Sequence, residues 1–321
     1  FMGRGTTLLE AALLGRRVAG CDVNPLSACL VGPRLNPPTL DAVKLRLSEI
    51  DLTSHYEPTD DLLVFYHPDT LRQICSLRAY LIEREANGTL DGVDAWIRMV
   101  ALTRLTGHST GYFSVYTLPP NQATYPDAQR KINTKRNQQP EPRDVAAIIL
   151  KKSKSLLGEV TSTQRQALST AEPVLITGAS HHTPALADNS VSLVVTSPPF
   201  LDVVQYSMDN WLRCWFIGVD AKSVPITMLK RVSDWQEAMT AVFKELYRVL
   251  VPGGHVAFEV GEVNAGKVKL EEAALPCGII AGLQPELILI NAQEFTKTAN
   301  CWGVENNSKG TNTNRILLFR K

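Results

Sequence analysis

Gly3-Arg4-Gly5-Thr6-Thr7-Leu8-Leu9-Glu10-Ala11-Ala12-Leu13-Leu14-Gly15, followed by Arg17-Val18-Ala19-Gly20-Cys21-Asp22, decides the fold of this 321-residue chain. Thr7 and Glu10 have capping-box spacing, which predicts a helix from near Thr7 with Gly15 as its stop. Arg17 to Cys21 then reads as a strand ending at Asp22. A glycine loop opening a helix, with an acid after a strand about 20 residues on, is dinucleotide-binding logic. The loop backbone approaches the ligand closely and the carboxylate takes ribose hydroxyls. Leu8 stands where the third glycine of that fingerprint belongs. NAD is thereby disfavoured, and an adenosine-containing ligand without a pyrophosphate is retained. The expected fold class is α/β.

Working outward, the next informative stretch is Ser197-Pro198-Pro199-Phe200, which follows the apolar run Ser192 to Thr196. That run reads as a buried strand. Two prolines after it make a rigid loop with carbonyls that no helix or ladder consumes. Such carbonyls can accept from an amino group on a planar ring while the aromatic stacks on the ring. Paired prolines are also common as bare punctuation at a strand end.

Together these stretches resemble the DNA amino-methyltransferases that use S-adenosyl-L-methionine and modify cytosine N4 or adenine N6. Their cofactor loop, Asp-Pro-Phe-x-Gly-x-Gly-Thr-Thr, is matched from Phe1 to Thr7, and their Ser/Asp/Asn-Pro-Pro-Tyr/Phe tetrapeptide at Ser197 to Phe200. Asp209 to Arg213, Tyr247 to Gly254 and Asn314 to Phe319 are similar to that family as well. The resemblance covers roughly 1–31 and 174–321, with the cofactor half first. It implies a Rossmann-like sheet with an antiparallel terminal strand and a mainly helical insertion. It also implies that Phe1, Gly3, Gly5, Thr6, Thr7, Asp22, Val23, Gly178 and Ser180 hold S-adenosyl-L-methionine. Similar enzymes often carry an Asp where Ala179 stands, so Ser180 or a backbone group would meet the adenine amine. In a doubly wound sheet the strand feeding the glycine loop is central, so an upstream segment or a second polypeptide is expected to complete it.

Composition, 44% apolar and 20% charged, allows one large domain with an insertion. The expected division is 1–38 and 173–321 as the catalytic domain, with 39–172 as a helical insertion for target recognition. Helical periodicity is expected over Asp69 to Glu85, Asp94 to Leu105 and Asp234 to Leu250. Asn24-Pro25 opens a helix-like stretch through Val31, broken by Pro33, Pro37 and Pro38. Further strands are expected at Val174 to Thr177, His255 to Val260, Glu286 to Ile290 and Asn314 to Phe319, the last two antiparallel.

Formal net charge is only +1, so nucleic-acid contact has to come from local charge. Residues 130–154 hold eight Lys and Arg against Glu141 and Asp144. Arg130, Lys131, Lys135, Arg136 and Arg143 are the candidate phosphate contacts on double-stranded DNA, with Lys309 from the polar loop Phe295 to Thr313. A solvated surface is the bland alternative. Tyr112, Tyr116 and Tyr125 read equally as base-facing or structural. The aromatics Tyr206, Trp211, Trp215 and Phe216 read mostly as core, and Asp202 and Asp209 as carboxylates near a cofactor or as surface.

Six cysteines without metal-ligand spacing read as reduced and structural. His181-His182 lacks partners for a metal, and none is expected. No apolar run of 18 residues and no signal peptide is present, so a cytoplasmic location and no membrane partner are expected.

The chemistry so implied is direct displacement on a sulfonium methyl. Ser197 and the Pro198 carbonyl accept from the amine, Phe200 stacks on the flipped base, and Pro199 stiffens the loop. Carbon-5 methylation needs a nucleophilic cysteine beside the prolines, and none is there. Serine at 197 is the form that cytosine-N4 enzymes of that family typically use, so the resemblance favours cytosine N4 over adenine N6. An RNA amino-methyltransferase and a nucleic-acid binding module without turnover are the alternatives.

Overall fold

The computed structural model describes residues 1–117, 125–199, 206–226, 229–263, 268–292 and 313–321. The fold is mixed α/β. In chain order its helices are α1 Thr6–Leu13, α2 Pro25–Leu35, α3 Leu40–Glu49, α4 Asp60–Leu63, α5 Pro68–Ala86 and α6 Gly92–Leu102, then α7 Pro126–Arg136, α8 Val145–Leu157, α9 Ser162–Ser169, α10 Tyr206–Phe216, α11 Val232–Val249 and α12 Leu270–Ile280. Its strands are β1 Ala19–Asp22, β2 Val174–Thr177, β3 Val191–Thr196, β4 Leu250–Val260, β5 Glu262–Val263, β6 Val268–Lys269, β7 Gln284–Ala292 and β8 Thr313–Arg320.

The strands form two principal sheets among the described residues, where the sequence led to one. β1 pairs with β2 in parallel, Ala19 opposite Val174 through Asp22 opposite Thr177. A second sheet has the order β3-β4-β8-β7. There β3 and β4 are parallel, with Leu193 opposite His255, whereas β8 runs antiparallel to both β4 and β7. The expected antiparallel terminal strands are thus present. β5 and β6 form a separate antiparallel pair that the sequence reading did not include, nor did it include α12.

Two local expectations are corrected. The Thr7/Glu10 capping box does not form: α1 starts at Thr6, and Gly5, at φ 75°, precedes it without a side-chain cap. A left-handed residue hands the chain from loop to helix by backbone alone, and glycine does this without a Cβ penalty. A Cβ at Gly5 would also lie 2.3 Å from Val31 Cγ2. The second correction is α2, which runs through Pro33 to Leu35 instead of breaking there. Asn24 caps it, its side chain accepting from the Leu26 N–H at 3.1 Å, and Pro25 fits the first turn, where its missing N–H costs nothing.

Apolar packing gathers into three clusters. The largest lies among α3, α5, α6 and α8 and takes in Leu26 of α2 and Leu212 to Ile217 at the end of α10. Trp211 packs at 6.1 Å from Phe65, and the Arg78 Nε donates to the Trp215 carbonyl at 2.8 Å, so these aromatics join α10 to the helical layer. The second cluster packs α11 and α12 onto one face of the four-stranded sheet, through Val256, Phe258, Leu317 and Phe319. The third holds α1 and α2 around Met2 and Val18, against Leu168 and Ala171.

Candidate cofactor and catalytic cleft

The glycine loop is fixed to the end of β1 by Asp22. One carboxylate oxygen accepts from the Gly3 N–H at 2.9 Å and the other from the Asn24 N–H at 3.0 Å. One acid therefore shapes both the loop before α1 and the start of α2. A Cβ at Gly3 would meet nothing within 4 Å, so the space beside the loop backbone is open. The Met2 N–H donates to the Cys21 carbonyl at 2.9 Å, and the Gly5 N–H to the Met2 carbonyl at 2.8 Å. Gly20 is required beneath the loop, since a Cβ there would lie 2.6 Å from Leu8 Cδ2 and 2.8 Å from the Met2 sulfur.

The ends of β2 and β3 close on the same place. Phe1 donates from its amino nitrogen to Ser180 Oγ at 3.2 Å, and its carbonyl accepts from Thr196 Oγ1 at 3.3 Å. The Gly178 N–H donates to the Asp22 carbonyl at 2.9 Å, which sets the turn after β2 level with the end of β1.

After β3, Ser197 is exposed, Pro198 is buried and Pro199 is half-buried. The indole N–H of Trp235, on α11, donates to the Pro199 carbonyl at 3.1 Å. A buried ring thus pins the loop by its second proline. The Pro199 carbonyl is thereby already engaged.

All of these features line one cavity of about 1330 Å³. Phe1, Gly3, Gly5, Thr6, Thr7, Asp22, Val23, Gly178 and Ser180 are on its wall, with Ser197, Pro198 and Pro199. Phe200 and Lys309 lie outside the described residues, as do Asp202 and Trp302. The cavity also takes Thr103 and Arg104 from the end of α6, and Asn210 and Arg213 from α10. Sequence reasoning missed these four. Arg104 stacks 4.1 Å over the Tyr112 ring, while its Nε is buried without a hydrogen-bond partner among the described residues. Its only signal was position, next to Leu105 at the end of an apolar helical stripe.

The basic candidates lie apart from the cavity wall. Arg130 is paired with Asp127 at 2.6 Å and with Asp61 at 2.9 Å. Arg143 bonds Glu141 at 3.1 Å. Arg136 stacks 3.8 Å over Tyr116 and remains exposed, as do Lys131 and Lys135. Tyr112 and Tyr116 are therefore each covered by an arginine. Among the described residues no group of three His, Cys, Asp or Glu is placed to hold a metal ion, and no helix is long and apolar enough to cross a membrane.

A clamp beneath the cleft holds the loop after β2. Glu245 accepts from the Thr183 N–H at 2.7 Å and from its hydroxyl at 2.6 Å, and Arg248 closes on the same carboxylate at 2.8 Å. The Arg248 bonds, chiefly, hold the Glu245 carboxyl down at about 2.

The chain is 24% identical over 248 residues to the type II methyltransferase M.BsoBI of Geobacillus stearothermophilus, a match that spans 70% of this chain and 47% of that protein. It thus spans about half the length of that relative. Among solved structures it is similar to TTHA0409 of Thermus thermophilus, described as a DNA modification methylase, at 21% identity over 45% of this chain and 52% of that one, with a TM-score of 0.30. A methyltransferase of Methanosarcina mazei, described as SAM-dependent, matches at 11% identity over 50% and 79% of the two chains, with a TM-score of 0.27. No family model matches the chain.

Proposed function

We propose that this chain carries the cofactor and catalytic parts of an S-adenosylmethionine-dependent methyltransferase that modifies an exocyclic amino group of a flipped base in double-stranded DNA, cytosine N4 before adenine N6. The observation that carries this reading is the convergence of the Phe1–Thr7 loop and Ser197–Pro199, from opposite parts of the chain, on one cavity. The relative M.BsoBI is itself a type II methyltransferase.

The cavity fits an adenosine-containing cofactor by its own chemistry. Asp22 offers carboxylate oxygens for ribose hydroxyls, and the open backbone at Gly3 allows close approach. Val23, Gly178 and Ser180 are on the same wall, where Val23 and Gly178 would hold the adenine and Ser180 Oγ would be a polar partner for it. When bound, S-adenosyl-L-methionine supplies an electrophilic methyl group on a sulfonium. An aromatic amine is a weak nucleophile because its lone pair is delocalised into the ring. Ser197 Oγ and the Pro198 carbonyl accept its two N–H groups and favour a pyramidal nitrogen aimed into the cavity. Trp235 holds the loop still while they do so, so the acceptors are preorganised. Displacement releases the thioether product and leaves the methylated nitrogen cationic, and that nitrogen then gives up one proton to water.

The test is incubation with labelled S-adenosylmethionine and unmethylated duplex DNA, followed by digestion and mass identification of the nucleosides. N4-methylcytosine is the expected product. N6-methyladenine would correct the base, label in RNA alone would correct the substrate, and no transfer to either would overturn the enzyme reading.

A further inference from the structure

The cavity is larger than one small ligand needs. Sites for single small molecules run to about 300–1,000 Å³, and this one encloses about 1330 Å³. The groups assigned above to the cofactor come from residues 1–23 and 178–180. Another part of the lining comes from Thr103 and Arg104, at the end of α6, and from α10, the helix that follows the Ser197–Pro199 loop in the chain.

Arg104 is fixed before any ligand arrives. Its N–H donates to the Ala101 carbonyl at 2.8 Å, and its carbonyl accepts from the N–H of the buried Phe113 at 2.9 Å. Its guanidinium lies 4.1 Å from the centre of the Tyr112 ring. That ring is seated on Gly107, where a Cβ would come within 2.4 Å of it, so only glycine leaves it room. Gly107 is tied down in turn. Its N–H donates to Ser114 Oγ at 3.2 Å, and its carbonyl accepts from the Thr117 N–H at 3.0 Å. A guanidinium stacked on a fixed ring has already lost much of its rotamer freedom, so binding costs it little more. What the stack does not supply is an anion. Among the described residues no carboxylate oxygen lies within 4 Å of the Arg104 nitrogens, and the buried Nε has no hydrogen-bond partner. A buried donor left in that state costs about 1–3 kcal/mol.

We propose that Arg104 takes a phosphate beside the flipped nucleotide, its planar fork donating two N–H groups to two phosphate oxygens. The proposal rests on the reading of this cavity as the site of a base-flipping methyltransferase. That reading brings two anions to the cavity, the phosphodiester of the DNA and the carboxylate of the cofactor. The origin of Arg104 favours the phosphate, since it stands in segment 39–172 and shares no loop with the cofactor groups. The motion of the nucleotide favours it too. A base leaves the stack by rotating about its own backbone, so a phosphate stays beside it as it enters the cavity. A cation fixed on the wall then holds the extruded nucleotide in place without reading its base.

The test compares the wild-type chain with Arg104→Gln and Arg104→Lys in three measurements. The first is calorimetric binding of S-adenosylhomocysteine. The second is binding of a fluorescent single-stranded DNA of mixed sequence across a salt series, since its bases need no unstacking to reach the cavity. The third is methyl transfer to duplex DNA. For Arg104→Gln we expect KM for the duplex to rise at least 10-fold and S-adenosylhomocysteine affinity to stay within twofold. The slope of log K against log salt for the single strand should shrink by about 0.7, the loss of one phosphate contact. Arg104→Lys keeps the charge and should restore that slope, with part of the affinity still lost because the fork is gone. Weaker DNA binding with an unchanged slope would reduce Arg104 to a prop for Tyr112 and overturn the proposal. So would a tenfold loss of S-adenosylhomocysteine affinity with an unchanged slope, which would give the guanidinium to the cofactor's carboxylate. Absence of methyl transfer by the wild-type protein would sink the functional reading alone, because the salt slope is read from binding and still decides the role of Arg104.

Discussion

At the residue scale, the proposed chemistry rests on Ser197, the Pro198 carbonyl and the indole of Trp235. Ser197→Ala removes one acceptor from an exposed loop position, so we expect the fold to survive and DNA binding to be kept. Methyl transfer under single-turnover conditions should fall about 100-fold or more. Unchanged transfer would remove Ser197 from the mechanism. Trp235→Phe keeps most of the ring packing but deletes the N–H to the Pro199 carbonyl. Loss of one such bond costs about 1 kcal/mol, read as a lower midpoint of urea unfolding, and the loosened loop should slow transfer about tenfold. Ser197 was legible in the sequence because a motif names it. Trp235 was legible only as one apolar position in an amphipathic helix, since nothing local says that its N–H reaches a carbonyl 36 residues away.

At the element scale, α6 is the part whose charge was least expected. Asp94 is fully buried and is held by Arg46, Arg84 and the Tyr80 hydroxyl, while Asp91 and Asp94 complete a capping box at the helix start. Asp94→Asn leaves two guanidinium groups facing a neutral amide. We expect a loss of about 3–5 kcal/mol in unfolding free energy, the cost of breaking a buried ion pair from one side. The sequence around Asp94 shows a helix start, not a buried ion network, because the arginines arrive from α3 and α5. The basic element α7 behaves differently. Charge reversal of Lys135 and Arg136 should weaken duplex binding and flatten its salt dependence by roughly one to two counterions. Arg130→Glu should do less, since Asp61 and Asp127 already neutralise that side chain. A larger effect at Arg130 than at Lys135 and Arg136 would reverse this assignment.

At the scale of the whole molecule, the clamp between α11 and the loop after β2 sets a pH limit. The folded-state pKa of Glu245 is about 2 against an ordinary value of 4.5. Its contribution is therefore complete above pH 4.5 and drains away as pH falls toward 2. We expect this carboxylate to account for on the order of 1–3 kcal/mol of acid-labile stability, reduced by the solvent around Arg248 and Asp188. Glu245→Gln should flatten the acid limb of a Tm-against-pH curve in that window. An unchanged acid limb would show that other carboxylates govern it.

What the sequence determined by itself is the local alternation and the two motifs. The strands at 174–177 and 255–260, the helices over α5, α6 and α11, and the residues of the cofactor loop all follow from side-chain periodicity and turn chemistry acting over a few residues. Local signals misplaced the start of α1 and the end of α2. Gly5 closes its turn through the backbone, and α2 continues through Pro33 to Leu35. Only the tertiary structure decided that Thr103, Arg104, Asn210 and Arg213 share a cavity with the glycine loop. Only it showed that Tyr112 and Tyr116 are covered by arginines, and that the two principal sheets meet at Phe1 and Met2. These relations depend on which distant surfaces exclude water together, and that is set by the packing of whole elements. A residue's neighbours in the chain do not encode it.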